Sequence, residues 1–118
     1  MKGLTACMSA LLAWGAAGWA EAAPAGCGEA PEPEEAYVTR ARTARTRKEY
    51  GKVADELWSA WCRSSNFFHL VGICEAHLMG KNQERAQEIL RYAERRLGSQ
   101  SAEDRDALLL CKRQLEGA

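Results

Sequence analysis

No proline occurs after Pro33 in this 118-residue chain, so nothing from Glu34 onward forces a helix to stop. No stretch alternates apolar and polar residues as a half-buried strand would, which excludes a sheet-based fold. Net charge is also missing: 16 basic and 16 acidic residues cancel, leaving no global field to gather nucleic acid or anionic lipid. There is no Cys-x-x-Cys pair for thiol redox chemistry, no Gly-rich phosphate loop and no serine in a nucleophile elbow. The carboxylates sit on solvated helical faces beside bases, as Glu88 does with Arg91. Without a catalytic constellation, the sequence is read as no enzyme, with no cofactor.

What is present begins with an export signal. Lys2 supplies a positive start, Leu4 to Ala20 form an uncharged apolar run, and Ala20-Glu21-Ala22 offers the small-x-small pattern of a cleavage site. Residues 1–22 are therefore expected to be removed, giving a periplasmic or secreted protein with no membrane insertion after cleavage. Cys7 leaves with the signal. Cys27, Cys62, Cys74 and Cys111 remain in an oxidising compartment, and an even number in so short a domain predicts two disulfides. Four cysteines allow three connectivities. Fewer than a hundred residues bury only about 60 to 65% of their unfolded surface, so covalent staples matter.

Residues 23–33 hold all three prolines together with glycine and glutamate, and read as an extended tail. Residues 34–115 read as helix after helix. Tyr37, Ala41 and Ala44 share one face, and acids before Arg40 to Lys48 suit the helix dipole. A second helix is expected from about Lys48 to Trp61 on Tyr50, Val53, Ala54, Leu57, Trp58, Ala60 and Trp61. Ser64, Ser65 or Asn66 caps a third, Phe67 to Met79, which Gly80 ends in the left-handed conformation. A fourth runs from about Asn82 to Leu97. The fifth opens with Ser101 and Asp104 placed as a capping box and continues to Leu115.

Sliding the chain by 33 residues lays Val53, Leu57 and Ala60 on Ala86, Leu90 and Ala93, so the repeated unit is a helical hairpin. These residues, with Tyr50 ahead of them and Val71, Gly72, Leu78 and Gly80 in a first helix, resemble the tetratricopeptide repeat family. In the earlier copy Ala41 serves as the small residue and Arg47-Lys48 stand where the turn glycine falls; the turn at Gly80 carries one residue more than the family spacing. The resemblance implies an all-α fold of two stacked antiparallel hairpins plus a C-terminal capping helix, stapled by disulfides. On that architecture Cys74 and Cys111 lie at equal depth on neighbouring helices, and the hairpin returns Cys62 to the region of Cys27. The implied pairs are Cys27–Cys62 and Cys74–Cys111.

It also implies a binding mode. Ligands of the family lie in a groove lined by first helices, here including Arg40, Asn66, Phe67, His69 and Glu75. Of the aromatic cluster Trp58, Trp61, Phe67 and Phe68, Trp61 and Phe67 flank the polar turn and are the expected exposed docking residues. The resulting expectation is an adaptor or assembly factor whose partner is another envelope or secreted protein, not nucleic acid. Two rival readings follow from particular residues. Cys74 and His77, three apart on one helical face, could chelate a metal if Cys74 were reduced, with His77 partly exposed near the helix end. Pro24-Ala25-Gly26-Cys27 resembles the end of a lipobox, which would make a pilotin-like lipoprotein acylated at Cys27.

Overall fold

The computed structural model describes residues 26–98 and 100–117. The expected export signal, residues 1–22, and the first residues of the tail, 23–25, lie outside them. Five helices and no strand occur among the described residues: α1 (Glu34–Thr46), α2 (Tyr50–Ser64), α3 (Phe68–Met79), α4 (Gln83–Arg95) and α5 (Ala102–Gly117).

Local chemistry sets the helix ends. Pro33, extended at φ −64° and ψ 153°, precedes α1, and Glu34 and Glu35 in its first turn face Arg45 in its last along the dipole. Before α3, Ser64 Oγ accepts from Asn66 N–H at 3.1 Å and Asn66 Oδ1 accepts from Phe68 N–H at 3.1 Å. Asn82 Oδ1 accepts from Arg85 N–H at 3.2 Å at the start of α4, and Ser101 Oγ accepts from Asp104 N–H at 3.2 Å at the start of α5. α2 starts two residues later than expected because Lys48 sits in the turn at φ 61°. α4 is correspondingly shorter than its expected span, ending at Arg95.

The turns inside the two hairpins follow one path. Arg47 (φ −91°, ψ 2°), Lys48 (φ 61°) and Glu49 (φ −92°, ψ 74°) are matched 33 residues on by Gly80 (φ −85°, ψ 6°), Lys81 (φ 64°) and Asn82 (φ −110°, ψ 75°). Glu49 N–H reaches back to the Ala44 carbonyl and Asn82 N–H to that of His77, while Lys48 and Lys81 N–H bond Arg45 and Leu78. This is the Schellman pattern, with lysine at the left-handed position. The expectation for Gly80 is thereby corrected: Lys81 is the left-handed residue, because the bond from Asn82 to His77 places that role one position later. Gly80 instead eases a close approach, since a Cβ there would fall 3.2 Å from Tyr50 Cβ, a tight contact.

The same register pairs Tyr37 with Leu70, Ala41 with Cys74 and Ala44 with His77, all buried. Cys74, rather than Gly72, is thus the counterpart of Ala41. Measured from these small residues to the left-handed lysines, both copies span seven residues, so the two turns of this chain share one spacing. Gly72 serves a different need, since a Cβ there would lie 2.9 Å from Leu57 Cδ1 and its absence lets α3 press onto α2.

α1 packs on α2, α2 on α3, and α3 on α4; α5 closes the stack against α3 and α4. Leu70, Ile89, Val53, Cys74 and Cys111 are the largest side chains sealed completely in the core. The Cys74–Cys111 disulfide joins α3 to α5 within it, and Cys27–Cys62 ties the N-terminal segment to the end of α2. Both bridges are the expected ones. α2 meets α4 through aromatics: Trp58 and Trp61 stand edge-on to Tyr92 at centroid distances of 5.3 and 6.3 Å, and Trp61 Nε1–H donates to Tyr92 Oη at 3.2 Å. No helix of the described residues is long and apolar enough to cross a membrane, and two disulfides in so small a helical fold fit an extracellular location.

Candidate functional site

The six residues expected at a binding face meet different fates. Arg40 is a clasp. Its Nη1 and Nη2 donate to the two Glu32 carboxylate oxygens at 3.0 and 2.9 Å, its Nε donates to Glu56 at 3.2 Å, and its guanidinium stands 5.2 Å from the centroid of the Tyr37 ring. The forked hydrogen bond from Arg40 holds the Glu32 carboxyl below its ordinary range. With Glu32 N–H donating to Tyr37 Oη at 3.0 Å and the Cys27 bridge, this binds the N-terminal segment to α1 and α2.

His69 is also engaged, with Nε2 2.5 Å from Glu34 Oε2. That hydrogen bond first, and one from Ser64 second, lower the Glu34 carboxyl. Asn66 is exposed but occupied as a cap. Trp61 is half-buried against Tyr92, and Glu75 is half-buried on α3.

Phe67 requires a correction. It is 3% exposed, a core residue and not a docking residue. Its own φ and ψ are helical (−56°, −30°), so it joins the inward row with Leu70, Val71 and Cys74 at spacings of three, four and seven. Its neighbour Phe68, about 100° further round, is the exposed one, at 58%. Met79, 50% exposed, lies eleven residues after Phe68 and Glu75 seven after it, which puts all three within about 20° of one line along α3. α5 carries a second, smaller apolar exposure at Leu109 and Leu110.

Both rival readings meet the disulfides. The Cys74–His77 metal pair is withdrawn, because Cys74 Sγ is bonded to Cys111 and supplies no thiolate. Acylation of Cys27 is withdrawn on the same ground, its sulfur being bonded to Cys62. His77 itself is buried rather than partly exposed, since it occupies the inward position equivalent to Ala44.

His77 lines a cavity of about 250 Å³ with Tyr50, Gly51 and Asp55 of α2 and Asn82 and Arg85 at the start of α4. Burial first, and the nearby charge of Arg85 second, push its imidazole from the ordinary 6.5 down to about 4. Burial also raises the Asp55 carboxyl, against the opposing pull of Arg85.

Between pH 6.5 and about 4 the unfolded chain binds a proton at His77 that the folded protein refuses. Stability from this group is therefore intact above pH 6.5 and falls as pH drops through that window, by at most about 1.4 kcal/mol per pH unit. His77→Gln removes this component, so the difference between wild-type and variant thermal midpoints shrinks from neutral pH toward pH 4. A difference independent of pH contradicts it.

Sequence reasoning missed Phe68, Met79 and the cavity. Phe68 was visible as one of four clustered aromatics, and the helix start that separates it from Phe67 was carried by the Ser64-Ser65-Asn66 cap. No protein-family model, curated protein or solved structure matches the chain.

Proposed function

We propose that this protein is a small exported interaction module, built of hairpins of the tetratricopeptide kind, that binds a segment of another envelope or secreted protein along the exposed face of α3. The carrying observation is the line formed by Phe68, Glu75 and Met79. α3 sends Leu70, Val71 and Ile73 into the core yet keeps these two large apolar side chains half exposed or more. Eleven residues of helix span about 16 Å, room for a short partner segment with an apolar residue at each end and a hydrogen-bond donor or base opposite Glu75.

Rigidity supports the reading. α3 is held by α2, α4 and α5 and by the Cys74–Cys111 bridge, so presenting this face costs little ordering on association. As the first helix of the second hairpin, α3 also borders the groove in which the resemblance places ligands. Residues 1–22 as an export signal and a periplasmic or secreted location belong to the same proposal, in keeping with the two disulfides.

The test is crosslinked affinity purification of the C-terminally tagged protein from its own cell envelope, with Phe68→Glu, Met79→Glu and Leu109→Glu in parallel. A stoichiometric partner is expected with wild type and with Leu109→Glu. Its recovery drops at least about tenfold with either α3 variant, as loss of an apolar anchor implies. Recovery of the chain alone, or of one partner at equal yield from all four proteins, contradicts the proposal.

A further inference from the structure

α5 meets the rest of the fold through Ala107, Leu108, Cys111 and Leu115, with Leu108 and Cys111 buried in the core it shares with α3 and α4. The opposite face of such a helix is ordinarily polar. Here it centres on Leu109 and Leu110, 42% and 52% exposed. Asp106 and Arg113, both exposed, complete the row at spacings of three, four and seven, so the four residues lie within about 50° of one line along α5.

The two charges of this row are unanswered. Of the bases on α5, Arg105 donates to the Gln100 carbonyl at 3.0 Å and Lys112 Nζ lies 3.4 Å from Glu94. The side chains of Arg113 and Asp106 have no ion-pair or hydrogen-bond partner among the described residues. Seven residues of helix set these two about 10 Å apart along α5, so they do not serve each other.

The row is complementary to itself. With a second α5 laid antiparallel on the first, and a two-fold axis midway between Leu109 and Leu110, the four leucines meet at the axis and each Asp106 stands level with the partner's Arg113. Parallel pairing sets Asp106 on Asp106 and Arg113 on Arg113, which repels. A different protein would need an apolar pair flanked by the reversed charges; a second copy carries it already.

We propose that α5 is a self-association face, on which two copies of this protein form an antiparallel two-fold dimer through Leu109 and Leu110 with two Asp106–Arg113 ion pairs. A contact limited to one helix from each copy lies at the small end of specific interfaces, so the dimer is weak, with a Kd of about 100 µM, within about tenfold either way. It uses none of the Phe68–Met79 line, so this face and the docking face of α3 stand or fall separately.

Sedimentation equilibrium of the disulfide-bonded protein from about 10 µM to about 1 mM reads the association directly. The weight-average mass is expected to rise with concentration toward twice that of the monomer. Leu110→Glu should weaken the dimer at least about tenfold with little change in thermal midpoint, because the side chain it replaces is half exposed. Phe68→Glu should associate like wild type.

Charge variants test the orientation. Asp106→Arg and Arg113→Asp each set like charges opposite one another and should each weaken self-association at least about tenfold. An equimolar mixture of the two variants opposes unlike charges at both positions and should recover the dimer. The proposal is overturned if the mass stays that of the monomer at about 1 mM, as it would were the leucines a seat for a different protein. It is equally overturned if Leu110→Glu associates like wild type, or if the mixture associates no more than either variant alone.

Discussion

Replacing Cys74 and Cys111 together by alanine is expected to lower the unfolding free energy by about 4 kcal/mol. The two positions are 37 residues apart, and closing a loop of that length removes about this much chain entropy from the unfolded state. Both sulfurs lie in the core at 0% exposure, so their removal also thins the packing between α3 and α5. A small domain has about 5 to 15 kcal/mol in total, which makes this bridge a large part of the whole.

The Cys27–Cys62 bridge closes a loop of similar length, with a separation of 35, yet its removal should cost clearly less. Cys27 is exposed, and without the bridge the segment before Glu32 regains freedom in the folded state as well as the unfolded one. Urea unfolding of the two double-alanine variants checks both statements. Equal losses would show that the N-terminal segment is as firmly held as α5.

Leu70→Ala is the second large effect, expected at about 3 kcal/mol. Leu70 is completely buried in the core cluster, on the helix that packs against α2, α4 and α5, so its truncation leaves a cavity inside the core. Phe68→Ala, two positions away, removes a larger side chain but one that is 58% exposed, and should change stability by less than about 0.5 kcal/mol. Thermal unfolding of the pair separates core from face on a single helix. A large loss at Phe68 would mean that this ring is structural, and the docking face would lose its anchor.

Helices and repeat were legible because each rests on a signal local to the chain. Val53, Leu57 and Ala60 and their counterparts 33 residues later are buried in the structure, since helical spacing alone fixes which face they share. The bridges followed because the stacking of hairpins puts Cys74 level with Cys111 and returns Cys62 to the neighbourhood of Cys27.

What failed depends on one residue of phase or on contacts between helices. Phe67 and Phe68 exchange roles because the turn after Ser65 already places Phe67 in helical geometry. Lys48 and Lys81, not a glycine, take the left-handed turn positions; propensity favours glycine there, but the bonds to Ala44 and His77 hold lysine in place. The burial of His77 and the cavity around it arise where α2, α3 and α4 converge, and no single segment encodes that.

An exported chain locked by two disulfides into a rigid binding surface is the central claim, and intact-mass measurement of the protein isolated from its own source tests it most directly. The predicted protein begins at Ala23, gains the mass of four hydrogens on reduction of its two disulfides and carries no lipid on Cys27. A chain that retains residues 1–22, carries an acyl group on Cys27 or reacts through four free thiols would contradict it.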